Sequence, residues 1–343
     1  MRPIQEWSVA RWRIVDGLVW TSCPDPETLG RAAEAGATLV VNLAPQQCRY
    51  PVPPGMDYIE LDIPDFSFTA HEHVYAEALA EARRRAARGE KTLIHCLGGI
   101  GRSGTAVAMY LVSRGLTLDK ALARVQGLGG GPQVPAQELA LRWFARAHGL
   151  LGDRLLDVYR DAAEAGLRDQ LRLEHASTVA GVALDILEAL APLARLEKLD
   201  YVDAYLAGFL HDIGRETGAG HSHHVRGAEA VRRMESVARL GRPAVVAKAV
   251  LHHRRGTDLL EDAELRALGW NAVLVAAAVR AADAVENAYV DEGPYYGVEL
   301  RGDRLVFRGS LWLEVAFRDI VEKSRALSEL TGLKVGFEKV HYF

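Results

Sequence analysis

Nine consecutive residues, His95-Cys96-Leu97-Gly98-Gly99-Ile100-Gly101-Arg102-Ser103, combine a nucleophile, a cation and three glycines in one turn. A thiolate is a good nucleophile when its pKa is lowered, which a helix N-terminus and cationic neighbours achieve. Here the apolar strand Thr92–His95 delivers Cys96 to the turn, and an apolar helix follows Arg102. The glycines let the loop from Leu97 to Arg102 turn its amides toward one anion, with the helix dipole behind them. Arg102 can grip two phosphate oxygens as a fork. Ser103 is placed to hydrogen-bond the sulfur and help it leave from a phosphocysteine. Each residue type thus has a task in phosphoryl transfer to sulfur. That chemistry also needs an acid for the leaving oxygen. Asp65, in LDIPDFSF (residues 61–68), ends a predicted strand; Asp62, inside the strand pattern, is its competitor.

A second constellation follows downstream. His175 lies in a long amphipathic segment, His211 and Asp212 in HDIGR (211–215), and His223 and His224 in HSHHVRG (221–227). The pair His252–His253 and then Asp283, in AADAVEN (281–287), complete it. His211-Asp212 ends an otherwise apolar run and Asp283 is flanked by alanines, where polar groups are costly without partners. Polar residues at the apolar centres of separate helices converge well on metals in a bundle core. Imidazole with carboxylate suits Fe, Mn, Zn and other divalent ions.

The elements that must position these residues differ between the two halves of the 343-residue chain. Through the first 120 residues strands and helices alternate: strands at 18–21, 38–44, 58–63 and 92–95, helices at 26–35, 73–88 and after Arg102. Helices at 118–125 and 136–147 complete an α/β domain with a largely parallel central sheet. From about Gly152 helical periodicity dominates, which predicts an all-α bundle. The last 50 or so residues read as strands at 297–300 and 304–307, a helix at 311–330 and a strand at 333–340. The expected domains are 1–150 and 151–343, with the α+β extension starting at about residue 295.

Composition is ordinary for a soluble globular protein, at 49% hydrophobic and 25% charged. The net charge of −4 argues against a polybasic nucleic-acid module. Three cysteines at irregular spacing read as reduced thiols of a cytoplasmic protein. Cys23 and Cys48 are expected as buried inert thiols, the alternative being a reversible disulfide that protects Cys96. The N-terminus lacks a signal-peptide core, and no apolar run is long enough to span a bilayer.

The turn HCLGGIGRSG resembles the signature of cysteine-dependent tyrosine and dual-specificity phosphatases, and IPDF resembles their general-acid loop. The likeness covers roughly residues 10–147 and is closest to the small dual-specificity type. It implies Cys96 as nucleophile, Arg102 as phosphate binder, Ser103 as thiolate stabiliser and Asp65 as acid and then base. Gln133 or Gln137 would help place the water. His71 and His73, after the acid loop, are expected to be solvated. No lysine lines the turn, which disfavours a highly charged headgroup as substrate.

The downstream set resembles the HD-domain metal-dependent phosphohydrolases, with HDIGR as their central element. The resemblance implies one ion on His175, His211, Asp212 and Asp283. A second would be completed by His223 and His252, with Asp212 bridging. His223 fits the His-x3-Gly pattern through Gly227 better than His224 or His221, and His253 is the reserve for His252. Arg215 would hold a substrate phosphate.

Together these resemblances imply a bifunctional phosphohydrolase acting on phosphoproteins or small phosphorylated metabolites and nucleotides. The cysteine domain would need no cofactor. The second domain would hold divalent transition metals (Fe, Mn, Zn, Ni or Co), two ions being favoured. One alternative is a mixed-valence diiron oxygenase in the HD domain, which needs the same donor set. The other is that one domain is an inactive phosphate reader or scaffold.

Overall fold

The computed structural model describes residues 12–65, 72–217, 222–285 and 295–340. His71, His221, the acid-loop residues after Asp65 and residues 286–294 lie outside them, as does the His73 side chain. The chain divides into two compact units, residues 1–148 and 149–343.

The first unit runs β1 (Arg13–Val15), β2 (Leu18–Thr21), α1 (Pro26–Glu34), β3 (Ala37–Asn42), β4 (Asp57–Glu60), α2 (Glu72–Ala87), β5 (Lys91–His95), α3 (Gly101–Ser113), α4 (Leu118–Gly127) and α5 (Pro135–Leu151). The strand order is β1-β2-β5-β3-β4, parallel from β2 to β4. Only β1, a three-residue strand too short to show periodicity, runs antiparallel, against β2. β5 is the central strand, and Leu93 and Ile94 are fully buried within it. Burying each such side chain contributes roughly 1.5–3 kcal/mol. Val19, Val40 and Leu93 pack with Leu29 and Ala32 of α1 to form a core. α1 starts where Asp25 accepts from the Thr28 amide at 2.7 Å, with Pro26 fixing the first helical φ.

In a parallel sheet, ligands bind beyond the carboxyl ends of the strands. Here the turns after β2, β3, β4 and β5 all emerge at that edge, and β5 delivers Cys96 between the other three.

The second unit begins with a short 3₁₀ turn and then α6 (Leu155–Glu164), α7 (Gln170–Leu190), α8 (Lys198–Leu210), α9 (His223–Val231), α10 (Glu235–Leu240), α11 (Pro243–His252), α12 (Ala263–Ala267) and α13 (Trp270–Val285). α9 and α10 are separate helices, the chain breaking at Arg232–Met234. α7, α8, α11 and α13 pack around a buried, largely apolar centre. Fourteen residues of α13, Ala272–Val285, are buried, which explains its alanine-rich sequence: helices approach closely only where side chains are small. The extension is β6 (Tyr295–Arg301), β7 (Arg304–Gly309), α14 (Leu311–Lys323), α15 (Arg325–Thr331) and β8 (Lys334–Lys339), its sheet ordered β6-β7-β8. No helix among the described residues is long and apolar enough to cross a membrane.

Candidate functional site

In the first unit, Cys96 Sγ lies buried 3.3 Å from Ser103 Oγ. Trp20 Nε1, which can only donate, gives its hydrogen to the same oxygen at 2.9 Å. Ser103 therefore accepts from Trp20 and keeps its own hydroxyl proton for the sulfur. Trp20 carries no signal in sequence beyond its strand position; the pairing exists because β2 adjoins β5.

The turn itself needs glycine for two physical reasons. Gly99 has φ +66°, and a Cβ there would stand 2.6 Å from Ser22 N and 2.7 Å from Thr21 O. Gly101, at the start of α3, faces Gln133 and Gln137: a Cβ would meet Gln133 Oε1 at 2.5 Å and Gln137 Oε1 at 3.0 Å. Both glutamine amides thus lie beside the helix terminus that the phosphate loop opens onto.

The Arg102 guanidinium is almost wholly buried. Its Nη1 donates to Ile63 O at 3.0 Å, and its Nη2 to Gln47 Oε1 at 2.8 Å and Asp65 Oδ2 at 2.9 Å. Asp65 is the acid-loop carboxylate that converges on the turn. β4 ends at Glu60, so Asp62 stands in the loop and not in the strand, and it is exposed.

His95, immediately before the nucleophile, is fully buried. Its Nδ1 lies 3.2 Å from Cys96 O, and Tyr50 Oη contacts its Nε2. These partners assign the proton to Nδ1, so the Tyr50 hydroxyl donates to Nε2. Burial pushes the His95 pKa down to about 4, against the raising effect of the Cys96 carbonyl.

Cys23 and Cys48 form a disulfide, with Cα atoms 5.8 Å apart, which corrects the expectation of two inert thiols. The spacing of 25 residues conceals that Cys23 follows β2 and Cys48 follows β3, the two neighbours of β5. The bridge spans the loops on either side of the cysteine turn. Cys23 N donates to Leu97 O at 2.9 Å, and Gln47, next to Cys48, holds Arg102.

In the second unit two imidazole pairs face one carboxylate. His175 Nε2 and His211 Nε2 are 3.0 Å apart; His223 Nε2 and His253 Nε2 are 3.2 Å apart. Asp212 divides between them. Its Oδ2 is 3.9 and 3.7 Å from the first pair, and its Oδ1 is 3.2 and 3.5 Å from the second. His211 Nδ1 donates to Gly208 O and His253 Nδ1 to Val250 O, both at 2.7 Å, so their Nε2 lone pairs point into the centre. Asp283 Oδ1 lies 3.6 Å from both His175 Nε2 and His211 Nε2.

Burial pushes the His211 pKa down to about 4, opposed by Asp212 and Asp283. Burial would raise Asp212, but His211, His223, His253 and Arg215 hold its carboxyl well below the usual range. Asp283 is likewise held down to about 2, the His211 and Lys323 attractions outweighing burial. Metal ligands must be deprotonated, and these groups are. Asp212 Oδ1 is also buried with no hydrogen-bond partner. Lone pairs that face each other across an orphaned carboxylate oxygen fit divalent cations. Two three-residue donor sets emerge, His175-His211-Asp212 and Asp212-His223-His253.

His253, not His252, is therefore the member of the pair that faces the centre. His252 Nε2 instead binds Asp262 Oδ2 at 2.7 Å, and Lys248 Nζ holds the same oxygen at 2.7 Å. Adjacent helical residues diverge by about 100°, so only one of the pair can face inward. Arg215 Nε reaches Asp212 Oδ2 at 2.5 Å while half of its side chain stays exposed, so it lies at the edge of the cluster. His224, partly buried, stands outside both donor sets.

Residues 10–138 match the family model described as Swiss Army Knife protein, DSP-PTPase phosphatase domain. Residues 172–288 match the HD domain, a generally metal-dependent class. Among solved structures, Tk-PTP in its active form is 28% identical, over 40% of this chain and 97% of its own, with TM-score 0.36. Human DUSP28 is 23% identical, over 40% of this chain and 94% of its own, with TM-score 0.36. A mouse putative dual specificity phosphatase complexed with zinc tungstate is 20% identical, over 44% and 96%, with TM-score 0.35. Both domain matches support a phosphoester hydrolase. The chain thus joins a DSP-PTPase phosphatase domain, residues 10–138, to an HD domain, residues 172–288.

Proposed function

We propose that the protein is a bifunctional phosphohydrolase, with a cysteine phosphatase over about residues 1–150 and a metal-dependent phosphohydrolase over 151–343. The carrying observation for the first activity is the convergence of Cys96, Ser103, Arg102 and Asp65 at the end of β5. In this reading Cys96 Sγ attacks the phosphorus of a monoester while Arg102 and the amides of the Leu97–Arg102 loop hold the phosphate oxygens. Asp65 gives its proton to the leaving oxygen and then takes one from water, and Ser103 donates to the sulfur as the phosphocysteine is cleaved. Gln133 and Gln137, beside Gly101, are positioned to orient that water.

For the second activity the carrying observation is the division of Asp212 between two imidazole pairs. His175, His211, Asp212 and Asp283 would hold one divalent ion, and Asp212, His223 and His253 another. Bound ions supply Lewis acidity to phosphoester hydrolysis. Arg215, exposed beside Asp212, would bind a substrate phosphate.

Metal content, oxygen uptake and turnover of an aryl monoester and a phosphodiester are measured on wild type, Cys96→Ser and Asp212→Ala. Cys96→Ser should lose monoester turnover and keep its metal; Asp212→Ala should do the reverse and lose the diester reaction. Monoester turnover that survives in Cys96→Ser overturns the cysteine assignment. Substrate-dependent oxygen uptake, without diester hydrolysis, overturns the second.

A further inference from the structure

α14 lies outside the residues that match the HD domain, yet its last residue enters the candidate metal centre. Lys323 Nζ donates to Asp283 Oδ2, and both side chains are about nine-tenths buried. An ammonium so withdrawn from water is costly unless paired. The two oxygens of Asp283 therefore have separate occupations. Oδ2 is taken by the lysine, and Oδ1 faces the His175 and His211 Nε2 atoms at 3.6 Å. The extension also touches the helix that carries His175: the Tyr295 hydroxyl, on β6, donates to Asp185 Oδ2 of α7 at 2.9 Å in a buried contact.

We propose that Lys323 is a positioning residue of the metal centre, fixing Asp283 as a one-oxygen ligand directed at the His175–His211 pair. This rests on the reading of the second unit as a metal site. A carboxylate free at both oxygens can rotate or bind bidentately; with Oδ2 held, only Oδ1 remains for the ion. The extension is then a working part of the centre, because without α14 the Asp283 carboxylate has one oxygen unassigned. Outer partners of metal ligands affect affinity by roughly 10–100-fold, and Lys323 occupies that position.

The test is Co²⁺ titration of the metal-stripped full-length chain, read by chelator competition and by the visible Co²⁺ spectrum. Four proteins are compared: wild type, Lys323→Met, Asp283→Asn and the double variant. Lys323→Met should weaken the tighter Co²⁺ step by roughly 10–100-fold and change its spectrum. The double variant should be no weaker than Asp283→Asn alone, because the lysine acts through that carboxylate. Wild-type affinity and spectrum in Lys323→Met, or additive losses in the double variant, overturn the proposal. Failure of wild type to take up Co²⁺ would instead remove the metal reading beneath it. Should Lys323→Met not fold, as judged by circular dichroism, Lys323→Leu removes the donor to Oδ2 with a shorter apolar side chain. Weakened Co²⁺ binding in that variant supports the role, and unchanged binding overturns it.

Discussion

Arg102 Nη2 and Asp65 Oδ2 are joined at 2.9 Å, so the cation proposed to grip phosphate holds the carboxylate proposed to act as acid. On the proposed reading, an entering phosphate would compete with Asp65 for the same guanidinium, and Asp65 would be freed for the leaving group.

Asp65→Asn removes the proton source and the competing charge together. Turnover of alkyl phosphates should fall by about 10²–10⁴-fold, the range of general acid catalysis. Aryl substrates with good leaving groups should lose far less, and inorganic phosphate should inhibit the variant at least as strongly as wild type. Equal losses on both substrate classes, in steady-state kinetics, would move the acid role away from Asp65.

His95 makes the first unit sensitive to acid. Its pKa is about 4 in the folded protein against 6.5 as the reference. Between these values the unfolded chain binds the proton and the folded one does not, so stability is lost as pH falls through that window. The expected loss is about 3 kcal/mol, complete below about pH 4. His95→Gln has no such group. The stability difference between wild type and variant, from denaturant unfolding, should therefore shrink as pH falls from 7 to 4. A constant difference would mean the imidazole is not held neutral.

Gly214, in HDIGR, lies against the backbone of α9, the helix that carries His223. A Cβ at this position would stand 1.9 Å from His223 O and 2.6 Å from Gly227 N. Gly214→Ala must push α9 away, at a cost of about 1–3 kcal/mol for overpacking. His223 moves with it, so metal analysis should show at least one ion lost while aryl phosphatase activity persists. Full metal content would show that the bundle absorbs the methyl.

The two adjacent histidines separate cleanly. His253→Ala should lose the ion shared by Asp212 and His223, whereas His252→Ala should keep both ions and lose only its Asp262 contact. Metal-to-protein ratios of the two variants decide this. Loss of metal in His252→Ala with retention in His253→Ala would restore the opposite assignment.

The cysteine turn is legible in sequence because nucleophile, glycines, arginine and serine lie within nine residues, where strand and helix rules fix their relation. Asp65 is legible as a loop carboxylate downstream of a strand, although β4 ends earlier than expected, at Glu60. Gln47, Trp20 and the Cys23–Cys48 bridge are not, because only the order β2-β5-β3 brings their loops together. In the second unit the donors are visible as polar residues on apolar helices, but the rotation of α11 is harder to read. A clue was present: Lys248 stands four residues before His252 and marks the charged face, while Ala249 and Val250 lead to His253 on the apolar one. Lys323 escapes notice because a lysine closing an amphipathic helix ordinarily reads as solvated.

The chain has three sulfurs in cysteine, and the bridge between Cys23 and Cys48 consumes two of them. Cys96 is thus without a resolving thiol in its own chain. Peroxide that converts Cys96 to a sulfenic acid meets no neighbouring cysteine able to trap that state as a disulfide. Unless an external thiol or a backbone nitrogen captures it first, oxidation continues toward the sulfinic acid, which thiols do not reverse. Closing the bridge therefore ties the enzyme's recovery from oxidative damage to the small-molecule thiols around it.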